Sequence, residues 1–251
     1  MLRLETPDDP PEQVERSLPF AVSRADAEAA YRSWLEGLGW FRPSDLRSAS
    51  RLESMTALWW AGWVFDAEAD ITWTADSDSG ARRAEWAPHA GESRIVFDDV
   101  VVSGSRGLTA AETGRLIPTY DLGTAAAAAD EPAPGDVVER FDLPRSSARA
   151  RVADHIRELV GERLRRGTIP GSRFRNLRTA VVLRRLRTRR VAFPSYVLAY
   201  RHRGRLYRVV LSGQDASCLL GSAPYSTAKI LAVVFAGVLA LALSVALLAA
   251  L

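Results

Sequence analysis

Residues 58–65 read LWWAGWVF. The stretch is apolar at every position and carries three indoles, at Trp59, Trp60 and Trp63, so both alternating sets of side chains want burial. A strand covered on its two faces reads this way, because successive strand residues point to opposite sides. Just beyond it, Ile71-Thr72-Trp73-Thr74 alternates apolar and hydroxyl, the mark of a strand able to pair with the first. Asp76-Ser77-Asp78-Ser79-Gly80 supplies turn residues between them and the next apolar runs, Ile95-Val96-Phe97 and Val100-Val101-Val102. The centre of the first half is therefore an antiparallel meander.

Helices flank it. Ser23 can cap a helix running to about Leu38, with Asp26 three residues on and Ala27, Tyr31, Trp34, Leu35 and Leu38 on one face. Gly37 and Gly39 end it, and Arg42-Pro43-Ser44-Asp45-Leu46 can start a short second helix. Residues 1–22 are acidic and rich in proline, and read as an unordered lead-in. Past a linker at 125–139, with its alanine run and Pro132-Ala133-Pro134-Gly135, the apolar residues Val152, Ile156, Leu159, Val160 and Leu164 recur at helical steps. Strands are expected at about 177–187, 191–201, 205–212 and 216–220, with Arg203-Gly204 turning between two of them. The fold class is α+β, mostly antiparallel sheet with two main helices. A helix followed by strands occurs twice, so a duplicated unit with halves 23–124 and 140–225, inside one soluble domain 23–225, is a further reading of the order.

Residues 230–251 read ILAVVFAGVLALALSVALLAAL, with no charge and Ser244 the one hydroxyl. About 22 residues at ~1.5 Å rise span ~33 Å, against a hydrocarbon core of ~30 Å. This predicts a transmembrane helix over 229–251. The opening MLRLETPDDPP lacks the apolar stretch of a signal peptide. Arg201, Arg203, Arg205, Arg208 and Lys229 precede the tail. Together these predict a tail-anchored, single-pass protein of a bacterial cell membrane, with the bulk of the chain cytoplasmic.

The net charge of +3 conceals an asymmetry. Residues 1–139 hold 12 arginines against 25 acids, whereas residues 140–208 hold 20 arginines against 4 acids. Arginine outnumbers lysine 32 to 1, a bias that GC-rich codons would produce, so arginine counts overstate function. The basic stretch contains the candidate contacts for an anionic surface: Arg145, Arg149, Arg165, Arg166, Arg184, Arg185, Arg187, Arg189 and Arg190. Three accounts compete: a solvated structural face, contact with anionic lipid headgroups, and, ranked last, nucleic acid. The acidic half can also neutralise the basic half within the fold.

Chemistry-bearing motifs are sparse. Asp76-x-Asp78-x-Gly80 hints at a calcium loop, but the twelfth position is Ala87 rather than Glu. His89, Ser103 and Asp98 are the types of a hydrolytic triad, without the Gly-x-Ser-x-Gly elbow. Asp98 and Asp99, as successive strand residues, point apart and cannot share a proton. Cys218 is the single cysteine, which excludes an intrachain disulfide and a cysteine-based zinc site. No phosphate loop or dinucleotide fingerprint occurs. No cofactor, no metal and no catalytic constellation are expected.

The end of the chain is similar to a known pattern. Phe193-Pro194 with Tyr196, then Tyr200, Gly204 and Tyr207, then Ser212-Gly213-Gln214-Asp215, then Pro224, Ser226 and Lys229, lead into the tail. Trp60 to Asp66 and Trp86-x-Pro88-x-x-Gly91 fit the same pattern. The chain thus resembles a group of poorly characterised bacterial and archaeal membrane proteins. They often begin with a zinc ribbon and are often labelled as resembling primosomal protein N-prime. The ribbon cysteines would lie before Phe20 and are absent, so metal binding does not carry over. The resemblance implies fold and anchoring, and no activity. The expected function is a non-catalytic, membrane-tethered binding or scaffolding module. It would contact lipid through residues 230–251 and an unidentified protein partner on the cytoplasmic face. The alternatives are a membrane-associated nucleic-acid accessory factor and an unrecognised hydrolase.

Overall fold

The structure, a computed structural model, describes residues 12–80, 85–128 and 135–249, the side chains of 243 and 245–249 excepted. Its elements run β1 (Arg16–Ser17), α1 (Arg24–Gly37), α2 (Leu46–Ala49), β2 (Arg51–Ser77), β3 (Ala87–Ser103), α3 (Ala110–Leu116), β4 (Ala126–Ala127), β5 (Val137–Val138), α4 (Arg145–Gly167), β6 (Phe174–His202), β7 (Arg205–Ser212), β8 (Leu219–Gly221) and α5 (Thr227–Ala249). Single turns of 3-10 helix at Ile117–Thr119 and Leu122–Thr124 follow α3. The strands form one eight-stranded sheet with the path β3-β2-β6-β1-β4; β5 joins β2, and β7 joins β6 and β8.

The α+β class stands, with two corrections. The sheet is mixed, because β1 runs parallel to β6 while its other pairing, to β4, is antiparallel. The transmembrane helix is the second. Residues 227–249 are helical, but among the described residues no helix is long and apolar enough to cross a membrane. The tail-anchored, single-pass, cytoplasm-facing membrane protein fails with that helix. The lipid contact drawn through residues 230–251 rested on the same span.

Two compact units interleave along the chain: Trp59–Pro194 with the described residues before Phe20, and Phe20–Leu58 with Ser195 onward. The division does not fall at a linker over 125–139, of which 129–134 lie outside the described residues. Of the lead-in, 1–11 lie outside them too, while residues 12–22 carry β1 and the buried Leu18 and Val22.

In the first unit, β2 obeys the two-residue period. Trp63, Phe65, Ala67, Ala69, Ile71, Trp73 and Ala75 face one way and pack against Ala148, Val152, Ile156, Val160 and Leu164 of α4. These five recur every four residues, so they line one stripe of the helix. The opposite side of β2 begins with Trp60 and Gly62 and is covered by Phe193 and Tyr120. The Trp60 and Phe193 rings stack with centroids 4.3 Å apart. Residues 60–65 are therefore buried on both faces, as their composition requires. Trp63 also donates its indole N–H to the Leu143 carbonyl at 3.0 Å, which anchors the chain entering α4. β3 pairs antiparallel with β2, and the register slips between Phe65 and Ala67, where Asp98 and Asp99 bulge opposite Asp66.

In the second unit, α1 is capped by the Ser23 hydroxyl, which accepts from the Asp26 N–H at 3.1 Å. Its buried Ala27, Tyr31 and Leu35 meet Tyr196, Leu198, Tyr200, Val209 and Leu211 of β6 and β7. Tyr196 donates to the Val22 carbonyl at 2.9 Å and Tyr200 to the Ser222 carbonyl at 2.8 Å, so both phenols are satisfied. Burial pushes the Tyr31 phenol up to about 12.

Urea unfolding tests the two-sided packing of β2. Trp63 is fully buried, and Trp63→Ala should cost about 3–5 kcal/mol. A Cβ on Gly62 would stand 2.6 Å from the Phe193 ring and 3.1 Å from Trp60, so Gly62→Ala should cost about 1–3 kcal/mol by overpacking. Unchanged midpoints in both variants would remove the stacked layer.

Candidate functional site

On the side of β2 turned away from α4, beyond the stacked layer, the outward residues are Asp66, Glu68, Asp70 and Asp76 with Thr72 and Thr74 between them, and arginines of β6 and β3 answer the acids. Arg189 reaches Asp66 at 2.9 Å and Asp99 at 2.6 Å. Arg185 lies 3.3 Å from Glu68, and Asp70 is held between Arg184 at 2.5 Å and Arg94 at 2.7 Å. Arg175 stands 3.7 Å from Asp76, and Arg173 lies 3.4 Å from Asp78. Partner numbers fall along β6 as they rise along β2, as antiparallel neighbours must. The Arg94 hydrogen bond, with Arg184 beside it, holds the Asp70 carboxyl below its ordinary range against some loss of hydration. At Arg189 burial opposes the charge, but Asp99 and Asp66 outweigh it, and the pKa is raised.

The nine arginines expected to meet an anionic surface are divided between α4 and β6. Six carry a carboxylate: Arg145 with Glu12, Arg166 with Glu162, Arg184, Arg185 and Arg189 as above, and Arg190 with Glu12 and Glu15. Arg149, Arg165 and Arg187 are exposed and have no carboxylate partner among the described residues. The first two lie on α4 and the third on β6.

The hydrolytic triad is not assembled. His89 and Ser103 lie on the same extended β3. Fourteen residues at ~3.4 Å rise put them ~48 Å apart. The His89 ring meets the Ser79 carbonyl at 3.1 Å, and Ser103 donates to the Ser105 carbonyl at 3.2 Å. Asp78, in the suspected calcium loop, is occupied by protein donors. It accepts from the Arg173 and Ser172 backbone N–H groups at 3.2 and 2.9 Å and from the Ser172 hydroxyl at 2.8 Å. Among the described residues no group of His, Cys, Asp and Glu could hold a metal ion.

A cleft of about 300 Å³ lies between Asp99 and Val101 of β3, the turns at 117–123 and Phe193. Its polar groups are committed to the protein: the Tyr120 hydroxyl donates to the Pro194 carbonyl at 2.9 Å and meets the Trp60 indole nitrogen at 3.3 Å. Asp121 accepts from the Gly123 N–H at 2.9 Å, and Asp99 holds Arg189. No nucleophile with an adjacent base lines it.

The second unit carries a patch that sequence reading passed over. Trp40, Phe41 and Tyr225 are 60%, 45% and 64% exposed. They are held in place rather than loose. Ser226 donates its backbone N–H to the Phe41 carbonyl at 2.8 Å. The Lys229 ammonium bridges the Trp40 and Arg42 carbonyls at 3.0 and 2.9 Å. The Arg42 guanidinium lies 3.8 Å over the Tyr225 ring, and Lys229 lies 5.2 Å from the Trp40 ring centre. The signal available in advance was three aromatics in glycine- and proline-rich turns, where no helix or strand period assigns them to a core. Beside them, Leu231, Val234, Phe235 and Val238 of α5 are exposed.

Acid titration tests the role of Asp78. Hydrogen bonds from the Arg173 N–H and the Ser172 hydroxyl hold its carboxyl at about 2, below the ordinary value near ~3.9. A depressed carboxylate stabilises the fold above the unfolded value, and that contribution is lost as pH falls from ~4 through about 2. Asp78→Asn should therefore be less stable at neutral pH and lose less on acidification over that range. Midpoints at pH 7, 4 and 2.5 read the difference.

Comparison with protein-family models, with curated proteins and with solved structures finds no match, so the resemblance of the chain's end to the ribbon-bearing membrane group rests on the quoted residues alone.

Proposed function

We propose that this chain is a non-catalytic binding or scaffolding module that meets a protein partner through Trp40, Phe41 and Tyr225. The exposed, pre-set aromatic patch carries the reading. Tryptophan, tyrosine and arginine supply most of the binding energy at protein interfaces, and a ring already fixed by its neighbours loses little freedom when it is covered. Three rings beside two cations fit a partner that presents apolar side chains with carboxylates at the rim.

The charge pairing supports the same reading. Arginines engaged by carboxylates on neighbouring strands serve the sheet, which weighs against lipid headgroups or nucleic acid as the main ligand of the basic stretch. The cleft beside Tyr120 has its polar groups engaged, which weighs against a hydrolase.

Photo-crosslinking in the producing cells tests the proposal. A benzophenone amino acid at position 40 or 225 should yield one discrete adduct heavier than the chain by a partner's mass, and Trp40→Ala should abolish the adduct formed from position 225. The same residue at position 163, on the outer side of α4, should yield none. No adduct at 40 and 225, or the same products from all three sites, would overturn the reading.

A further inference from the structure

The two outer strands of the first unit's sheet are dressed in opposite ways. β3 ends the strand path, so one side of its backbone has no strand beside it among the described residues. Over 174–190, β6 also has no strand on the side away from β2 among the described residues, since β1 reaches it only at Val191 and Ala192. That edge of β6 is guarded. Arg178 and Arg187 are exposed on this stretch, and Asn176 and Arg185 take left-handed backbone with φ of 54° and 49°. Bulky cations and local twist are how open edges refuse a further strand.

Between Pro88 and the bulge β3 carries one arginine, Arg94, and no left-handed residue. Its register with β2 is unbroken from Ala87 to Phe97, and Asp99, with φ of 59°, marks where it ends. Glu92, Arg94, Val96 and Asp98 are exposed along it, and Val96 is 53% exposed. Val96 is the centre of a charge pattern that complements its own reverse: Arg94 lies two residues before it and Asp98 two residues after. Arg94 uses its Nε on Asp70, which leaves the two terminal nitrogens for another acceptor.

We propose that the β3 edges of two copies of this chain pair antiparallel about a two-fold axis at Val96. Val96 then faces Val96 of the second copy, and each Arg94 faces Asp98 of the other. On the side under α4, Ile95 opposes Phe97 of the second copy, so the cores of the two first units run on into each other across the join. The closed symmetry follows from the pattern, since a self-complementary edge in antiparallel register consumes itself and leaves no further edge to extend. Glu92, Arg94 and Asp98 make the edge selective, because like charges opposite one another destabilise a strand pair. This goes beyond the partner-binding reading and is independent of the aromatic patch.

Cysteine mapping on the full chain tests it, in a Cys218→Ser background. Residues facing each other across antiparallel strands have Cα atoms about 4.5–5.5 Å apart, within disulfide reach. Val96→Cys should give a disulfide-linked species of twice the chain mass under mild oxidation. Val182→Cys, 58% exposed on the guarded β6, should not. Asp98→Arg sets arginine against Arg94 at both ends of the pair, and should raise the dimer Kd about tenfold by sedimentation equilibrium while leaving the melting curve of the monomer unchanged. A chain monomeric up to ~100 μM, equal cross-linking from both cysteines, or a Kd indifferent to Asp98→Arg would overturn the proposal, at a concentration well above the ~μM range of transient association. Loss of the crosslinked partner at positions 40 and 225 would leave it untouched.

Discussion

In the first unit everything follows from the two-sided character of β2. One set of its side chains is apolar from Trp63 to Ala75 and lies under α4. The other starts apolar at Trp60, where Phe193 and Tyr120 cover it, and turns acidic at Asp66. A one-residue slip would put Asp66, Glu68 and Asp70 into the core and the tryptophans into water. The register of β2 against both its neighbours is thus set by the cost of burying unpaired carboxylates. The bulge at Asp98 and Asp99 fits that constraint. It takes up one extra residue of β3 where the acidic face begins, and its Asp99 backbone N–H bonds the Asp66 carboxylate at 3.1 Å.

The arginine content of the second half is largely an answer to the acids of the first. Exposed ion pairs contribute little singly, with ~0–1 kcal/mol as the usual range. Their effect here is on specificity: each acid on β2 has a set arginine on β6 or β3, so a shifted pairing would bring like charges together. Arg189 of β6, held by two carboxylates and 29% exposed, is the most sheltered of the arginines that pair with the β2 acids. Exposed Arg178 and Arg187, with the left-handed backbone at Asn176 and Arg185, make the free side of β6 hostile to a further strand. β3, with an exposed valine between opposite charges, is left as the edge open to company.

The second unit is organised by aromatic contacts instead. Tyr31, Trp34, Tyr200 and Tyr207 pack ring to ring, with Tyr200 and Tyr207 stacked at 5.2 Å. Its polar chemistry sits at the turns. Arg203 holds Asp45, and His202, 2% exposed, lies 3.7 Å from the same carboxylate. The Trp40, Phe41 and Tyr225 patch is the place where aromatic surface is left uncovered in a fixed shape, which is why a partner is sought there rather than along the basic strand.

Much was legible in the chain by itself. The helix at 145–166, the capped helix from Ser23, the doubly buried strand at 58–65 and the turn at Arg203-Gly204 all follow from local rules, because period, capping and turn geometry act within a few residues. The sequence alone also determined that no cysteine cluster or phosphate loop exists. Tertiary structure decided what depends on contacts distant in the chain. Which acid meets which arginine is settled by strand order. The parallel strand at Arg16–Ser17 came from a segment read as unordered, because burial of Leu18 and pairing with Val191 and Ala192 are non-local. Whether the apolar run at 230–251 spans a membrane was read from composition, and among the described residues no helix is long and apolar enough to cross one. His89, Ser103 and Asp98 looked combinable as residue types, but one extended strand holds the His and the Ser far apart, and only the fold could show that distance.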